Sequence, residues 1–276
     1  METIIRLENE QYVVKDEKLV LIKGGEKKYV VGRFYYYLLK TLYSIPRLYG
    51  IKSTEPISDW KKEFERQFTN IIRNEIDLAK ISFNVDFRMD LNKLELSGKV
   101  SKNDISLHLE IKETPKLSED DRGIRGLMKV DSFYFSNLDR KKPFIILATR
   151  AGLISAFYKF LPYQFEGASG IPKTFGLLSD FINAINIPLG YREEILGHQV
   201  YVRDNDIFCD SEIIYNAPPE ILSLFPIMFL LKTSNERNVI IIEDPEVHLS
   251  EEGKLFLKNL ILSAKANVVL VSDSFY

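Results

Sequence analysis

Apolar and polar positions along the chain predict helices and antiparallel strands in the first half and buried, continuous strands toward the end. Ile4–Val14 and then Leu19–Lys23 read as short strands, the second ended by Gly24 and Gly25. Arg33–Ser44 (RFYYYLLKTLYS) is apolar on most sides and predicts a largely buried helix, stopped before Pro46. From Ile57 to Lys80, Trp60, Phe64, Phe68, Ile71, Ile72 and Ile76 recur at spacings of one, three and four, marking one amphipathic helix. Three runs of period-two alternation follow, 81–88, 91–100 and 105–112, split by polar turns, and together they predict an antiparallel meander.

The segment 113–126 (ETPKLSEDDRGIRG) is charged and carries Pro and Gly, which predicts a mobile surface loop. A strand is expected near 129–135, a buried strand at 143–149 (PFIILAT), and helices at 151–160, 174–185 and 191–196. Short strands at 199–203, 207–209 and 212–215 precede a nearly all-apolar helix, 219–231. The last three elements are strand 238–242, helix 250–264 and strand 267–271. The runs VIII and VVLV are as unbroken as a sheet covered on both faces requires, so this ending reads as a right-handed βαβ unit with parallel strands.

Composition narrows the class of function. With 276 residues, 39 acidic and 37 basic side chains give a net charge of −2, so no global field draws nucleic acid, although a local basic patch stays open. One cysteine, Cys209, excludes an internal disulfide framework and any multi-cysteine metal cluster, and reads as a small core residue. The three histidines, His108, His198 and His248, are far apart in sequence, and neither His108 nor His198 has a local partner for metal binding. No apolar run approaches the roughly 20 residues of a membrane span, and METIIRLENE lacks the pattern of a signal peptide. A cytoplasmic protein is the expectation. Abundant Lys, Glu, Ile and Tyr lean toward a thermophile.

The sharpest chemical signal is VIIIEDPEVHL, 239–249. A buried strand ends in two carboxylates, Glu243 and Asp244, where ligands of open α/β sheets collect. Adjacent acids in that place can divide labour, one on a phosphate-bound Mg²⁺ and the next on the attacking water. Pro245 halts the strand, and Ser250 caps a helix with Glu251 and Glu252 in its first turn.

This order of residues resembles the Walker B strand and D-loop of ABC-type ATPase heads, in the branch of SMC, Rad50, RecF and OLD-like proteins. The resemblance puts Glu243 on the Mg²⁺-ligand position and Asp244 on the catalytic-carboxylate position. His248 and Leu249 match the family's His-Leu, whereas its following His-Pro is Ser250-Glu251 here. NVVLVSDSFY is similar to the next core strand, with Asp273 at the switch-histidine position. FIILATRAGLISAFYKFL is similar to a strand and Arg-bearing turn of AAA_15-like members, with Arg150 at that arginine; a surface residue at a helix N-terminus is the equal alternative.

The fold so implied is α/β and P-loop NTPase-like: a parallel core sheet with helices plus an antiparallel β-sheet lobe. A single domain of two lobes is expected, about 1–135 and 136–276.

Other elements of that family's nucleotide site depart from its pattern. A phosphate loop needs G-x-x-x-x-G-K-[ST], because backbone N–H groups, a lysine and a hydroxyl together offset triphosphate charge. Between the expected strand and helix stands KGGEKKYVVGRFYYY, in which Gly24, Gly25, Gly32 and Arg33 mark a degenerate phosphate-loop region. Counting from Gly24 puts Val30 and Val31 in the lysine and hydroxyl places, and counting back from the helix puts Tyr35 and Tyr36 there. Lys27, Lys28 and Arg33 could attract an anion, but a solvated basic loop is the leading reading. Before helix 219–231, where a Ser-Gly-Gly turn is required, stands Tyr215–Glu220 with Pro218 and Pro219, which donate no N–H bond. Each lost preorganised contact costs about 3–4 kcal/mol of transition-state stabilisation.

The leading expectation is a pseudo-ATPase acting as an interaction or regulatory module in nucleic-acid maintenance or defence, with no cofactor and with a protein partner, itself or an intact ATPase. One alternative is an active atypical ATPase with ATP and Mg²⁺. The other is a carboxylate metal nuclease built on Glu243, Asp244, Glu246 and Asp273.

Overall fold

The computed structural model describes all residues except 49–52, 77–83, 103, 137, 139, 156–175, 186, 204–205 and 276. The chain divides into two compact units, Met1–Glu17 with Arg33–Lys142, and Lys18–Gly32 with Pro143–Tyr276. The second unit thus takes back a strand that the sequence reading assigns to the first lobe. Among the described residues no helix is long and apolar enough to cross a membrane.

In the first unit, β1 (Glu2–Leu7), β2 (Glu10–Lys15), β4 (Val85–Asp90), β5 (Leu94–Val100) and β6 (Ile105–Ile111) form one sheet in the order β2-β1-β4-β5-β6. All its pairings are antiparallel. Strand β4 shows why: Val85, Phe87 and Met89 are buried while Asp86, Arg88 and Asp90 are exposed, so one face meets a core. Helix α2 (Pro56–Glu75) buries Trp60, Phe64, Phe68 and Ile72 completely. Phe64, Phe68 and Ile72 each contribute roughly 1.5–3 kcal/mol by leaving water.

Helix α3 (Gly123–Phe135) replaces the strand expected at 129–135 and takes the end of the expected loop. Its buried positions, Leu127, Val130, Asp131, Tyr134 and Phe135, have helical spacing, which the short window hides. Asp131 is buried because the backbone N–H of Leu48 (2.9 Å) and the indole N–H of Trp60 (3.1 Å) donate to it. The loop before α3 is tied down as well, since Ser118 and Lys129 both donate to Asp121.

In the second unit, β3 (Leu19–Ile22), β13 (Asn267–Val271), β12 (Asn238–Glu243) and β7 (Lys142–Ile146) form a sheet in the order β3-β13-β12-β7. Both β12–β13 and β13–β3 are parallel. Helix α6 (Glu251–Ser263) is the crossover between β12 and β13, as the sequence predicts. Helix α5 (Pro219–Thr233) is buried at every position from Ile221 to Leu231, which explains its lack of a polar face.

A second sheet in this unit, order β11-β10-β9-β8, contains β8 (Arg192–Ile195), β9 (His198–Arg203), β10 (Asp206–Cys209) and β11 (Glu212–Ile213). The helix expected at 191–196 is therefore strand β8. Leu196 (φ 50°) and Gly197 (φ 83°) form a two-residue turn into β9, and such left-handed pairs close hairpins and cannot continue a helix. Helix α4 (Leu177–Ala184) covers the expected 174–185 helix in part. Residues 150–155 are helical, and the remainder of the expected 151–160 helix lies outside the described residues.

Candidate functional site

The carboxyl end of the parallel sheet collects the acids that the sequence singles out. Glu243 closes β12, and its side chain is fully buried, accepting a bond from the Ala148 N–H at 3.3 Å. Asp244 follows in a left-handed conformation (φ 38°), its own N–H bonded to the Val271 carbonyl at 2.9 Å. Asp273 stands two residues past β13 and accepts from the Gly24 N–H at 2.9 Å, with Gly25 N–H contributing. The sheet therefore brings Glu243, Asp244, Asp273, Gly24 and Gly25 together.

Helix α1 runs Lys27–Ser44, six residues earlier than the sequence predicts. The helical face extends back through Val31 and Lys28, both buried, but Gly32 and the paired lysines disguise it as a loop. As a result, only Lys23–Glu26 join β3 to α1. Gly32 serves packing: a Cβ there would lie 2.6 Å from Val271 Cγ2. Arg33 is exposed and belongs to the first unit.

Lys28 is 7% exposed, not part of a solvated loop. Its Nζ lies 2.9 Å from Asp273 Oδ2 and 3.2 Å from Asp244 Oδ1. Burial by itself would lower the lysine pKa, yet the hydrogen bonds to Asp273 and Asp244 prevail and hold it well above its ordinary value. In turn the Lys28 bond, helped by Gly24 N–H, holds Asp273 below the usual carboxylate range. The next residue, Tyr29, donates its hydroxyl to Asp244 Oδ2, and burial together with that bond pushes the phenol up to about 12. Lysine followed by a hydroxyl-bearing residue at the start of a helix is the signal that counting from the glycines misses.

Arg150 is fully buried, which excludes the surface alternative. Its guanidinium donates to the carbonyls of Ser223 (3.1 Å), Glu243 (3.0 Å), Asp244 (3.1 Å) and Pro245 (2.9 Å). Burial lowers its pKa to about 10, and it stays charged at neutral pH. With its N–H groups spent on backbone, Arg150 pins the chain that follows β12 and sets Asp244 in place.

Glu246 plays a similar positioning part, accepting from Ser272 Oγ (2.7 Å) and Ser274 Oγ (2.6 Å) on either side of Asp273. Glu220 caps helix α6 by accepting from the N–H and Oγ of Ser250, at 2.8 and 2.6 Å. Lys28 is thus the basic side chain that faces Asp244 and Asp273 at this end of the sheet.

A second cluster lies on the β9–β10 hairpin. His198 Nδ1 stands 2.8 Å from Asp210 Oδ2, correcting the expectation that His198 lacks a partner. Cys209 is buried, and burial pushes its thiol up to about 11, consistent with a residue that is no nucleophile.

No protein-family model and no curated protein matches the chain. Among solved structures, an SMC head bound to the C-winged helix domain of ScpA is similar at 12% identity with a TM-score of 0.46, covering 99% of this chain and 90% of that one.

Proposed function

We propose that this chain is a degenerate ABC-type ATPase-like module, with its phosphate site closed by its own side chains, that works as an interaction or regulatory module rather than by hydrolysis. The observation that carries this reading is the Lys28 ammonium held between Asp244 and Asp273. One positive charge against the two carboxylates it touches leaves that triad at −1, which offers a triphosphate no net attraction. The four-residue connector supports the same reading, because the backbone N–H groups of Gly24 and Gly25 are turned to the Asp273 carboxylate. Gly24 N–H is already given to Asp273.

A part-buried ion-pair cluster of this kind holds the end of the sheet in one arrangement, whereas a working ATPase head needs a charge cluster that reorganises around nucleotide. In this reading neither ATP nor Mg²⁺ is required. The partner is a protein, either a second copy or an intact ATPase, and the process served is nucleic-acid maintenance or defence. An active ATPase or a metal nuclease that used Asp244 and Asp273 themselves would require Lys28 to leave them.

Titration of the full chain with a fluorescent ATP analogue and Mg²⁺ tests the proposal. No saturation is expected up to millimolar analogue. Micromolar, Mg²⁺-dependent binding that Glu243→Gln abolishes would sink it.

A further inference from the structure

We propose that His198, Cys209 and Asp210 form a binding site for a zinc-like divalent cation, built into the antiparallel sheet of the second unit and separate from the Lys28 cluster. The site follows from the register of two turns. β10 ends at Cys209, which pairs with Val200 on β9 and with Glu212 on β11. Asp210, the first turn residue, folds back so that its N–H reaches the Gln199 carbonyl at 2.7 Å. His198 opens β9 across from that turn. His198 and Asp210 are twelve positions apart in sequence, yet an imidazole nitrogen, the thiol sulfur and a carboxylate oxygen all lie within 4.8 Å of one another.

The donor set is chemically specific. Zinc bonds of roughly 2.0–2.3 Å to nitrogen, oxygen and sulfur, at tetrahedral angles, put ligand atoms about 3.4–3.6 Å apart. Closing the cluster onto a cation thus needs side-chain movements on the order of 1 Å, without rebuilding the backbone. Thiolate with imidazole selects Zn²⁺ or Co²⁺ over the oxygen-loving Mg²⁺ and Ca²⁺.

The outer contacts also suit a metal. Asp210 Oδ1 accepts from the Gln199 N–H at 2.8 Å, which orients the carboxylate and leaves Oδ2 facing His198. The thiol sits on the buried side, while the imidazole and carboxylate are 39% and 51% exposed, so a cation has an entry path and a fourth position open to water. A hydrogen-bonded His-Asp pair that merely closes the hairpin is the competing role, and it makes no use of the thiol.

Cys209 is the chain's one cysteine, which makes the test clean. Metal-free full-length protein is titrated with Co²⁺ and watched for the near-ultraviolet thiolate-to-cobalt charge-transfer band, and Zn²⁺ affinity is measured by competition with a chromophoric chelator. One equivalent is expected, with the band present in the native chain and missing in Cys209→Ser. Loss of an outer partner typically weakens a metal site 10–100-fold, so loss of a ligand in His198→Ala should weaken Zn²⁺ binding at least about 100-fold. Far-UV circular dichroism checks each variant. If Cys209→Ser fails to fold, His198→Gln at the half-exposed position decides the matter by the same loss of affinity. Absence of the band in the native chain, or a band and affinity unchanged in the His198 and Asp210→Asn variants, overturns the proposal.

Discussion

Arg150 shows how a single buried side chain can hold a site it does not join chemically. Its guanidinium serves four backbone carbonyls within 3.1 Å, three of them consecutive from Glu243 to Pro245. Arg150→Met would leave those buried acceptors unsatisfied, each a penalty of about 1–3 kcal/mol where water cannot replace the donor. The variant should lose about 3 kcal/mol or more in urea unfolding, and Arg150→Lys should recover less than half of that, since an ammonium cannot fork. A loss under about 1 kcal/mol would mean that water replaces the guanidinium.

At the same scale the candidate site was only half legible in the sequence. Glu243 and Asp244 announce themselves because they end a run of buried β-branched residues. Lys28 does not, because lysines beside glycines look like solvated loop, and the carboxylate that neutralises it lies 245 residues away.

Elements were read well where periodicity is long and poorly where it is brief. The meander, the α2 helix and the β12-α6-β13 unit have enough turns or alternations to declare themselves. Strand β8 is only four residues, REEI, with no alternation to distinguish it from a helical turn, and the Leu196-Gly197 turn decides its fate. The early start of helix α1 is hidden because Gly32, a poor helix former kept for close packing against Val271, sits inside it.

That packing yields a prediction for the element. Alanine at position 32 would gain up to about 1 kcal/mol in helix propensity. It would also push a methyl against the stiff, fully buried Val271, and overpacking of this sort costs roughly 1–3 kcal/mol. Gly32→Ala should therefore lower Tm, whereas a rise would show that β13 yields without strain.

Across the whole molecule, the two-unit division tells where the sequence reading was limited. Lys18–Gly32 belongs with Pro143–Tyr276 because β3 pairs in parallel with β13, and a partner some 250 residues downstream leaves no local trace. Alternation announces the antiparallel sheet of the first unit strand by strand. The consequence for function is that β3, the start of α1 and the ends of β12 and β13 assemble within a single unit.

The central claim is that Lys28 is already committed to Asp244 and Asp273, and its ammonium can be observed directly by nitrogen-detected NMR, assigned through Lys28→Arg. The account predicts a lysine that titrates above its ordinary 10.5 and whose signal does not move when millimolar Mg²⁺-ATP is added. A signal that shifts and saturates at micromolar nucleotide would contradict it.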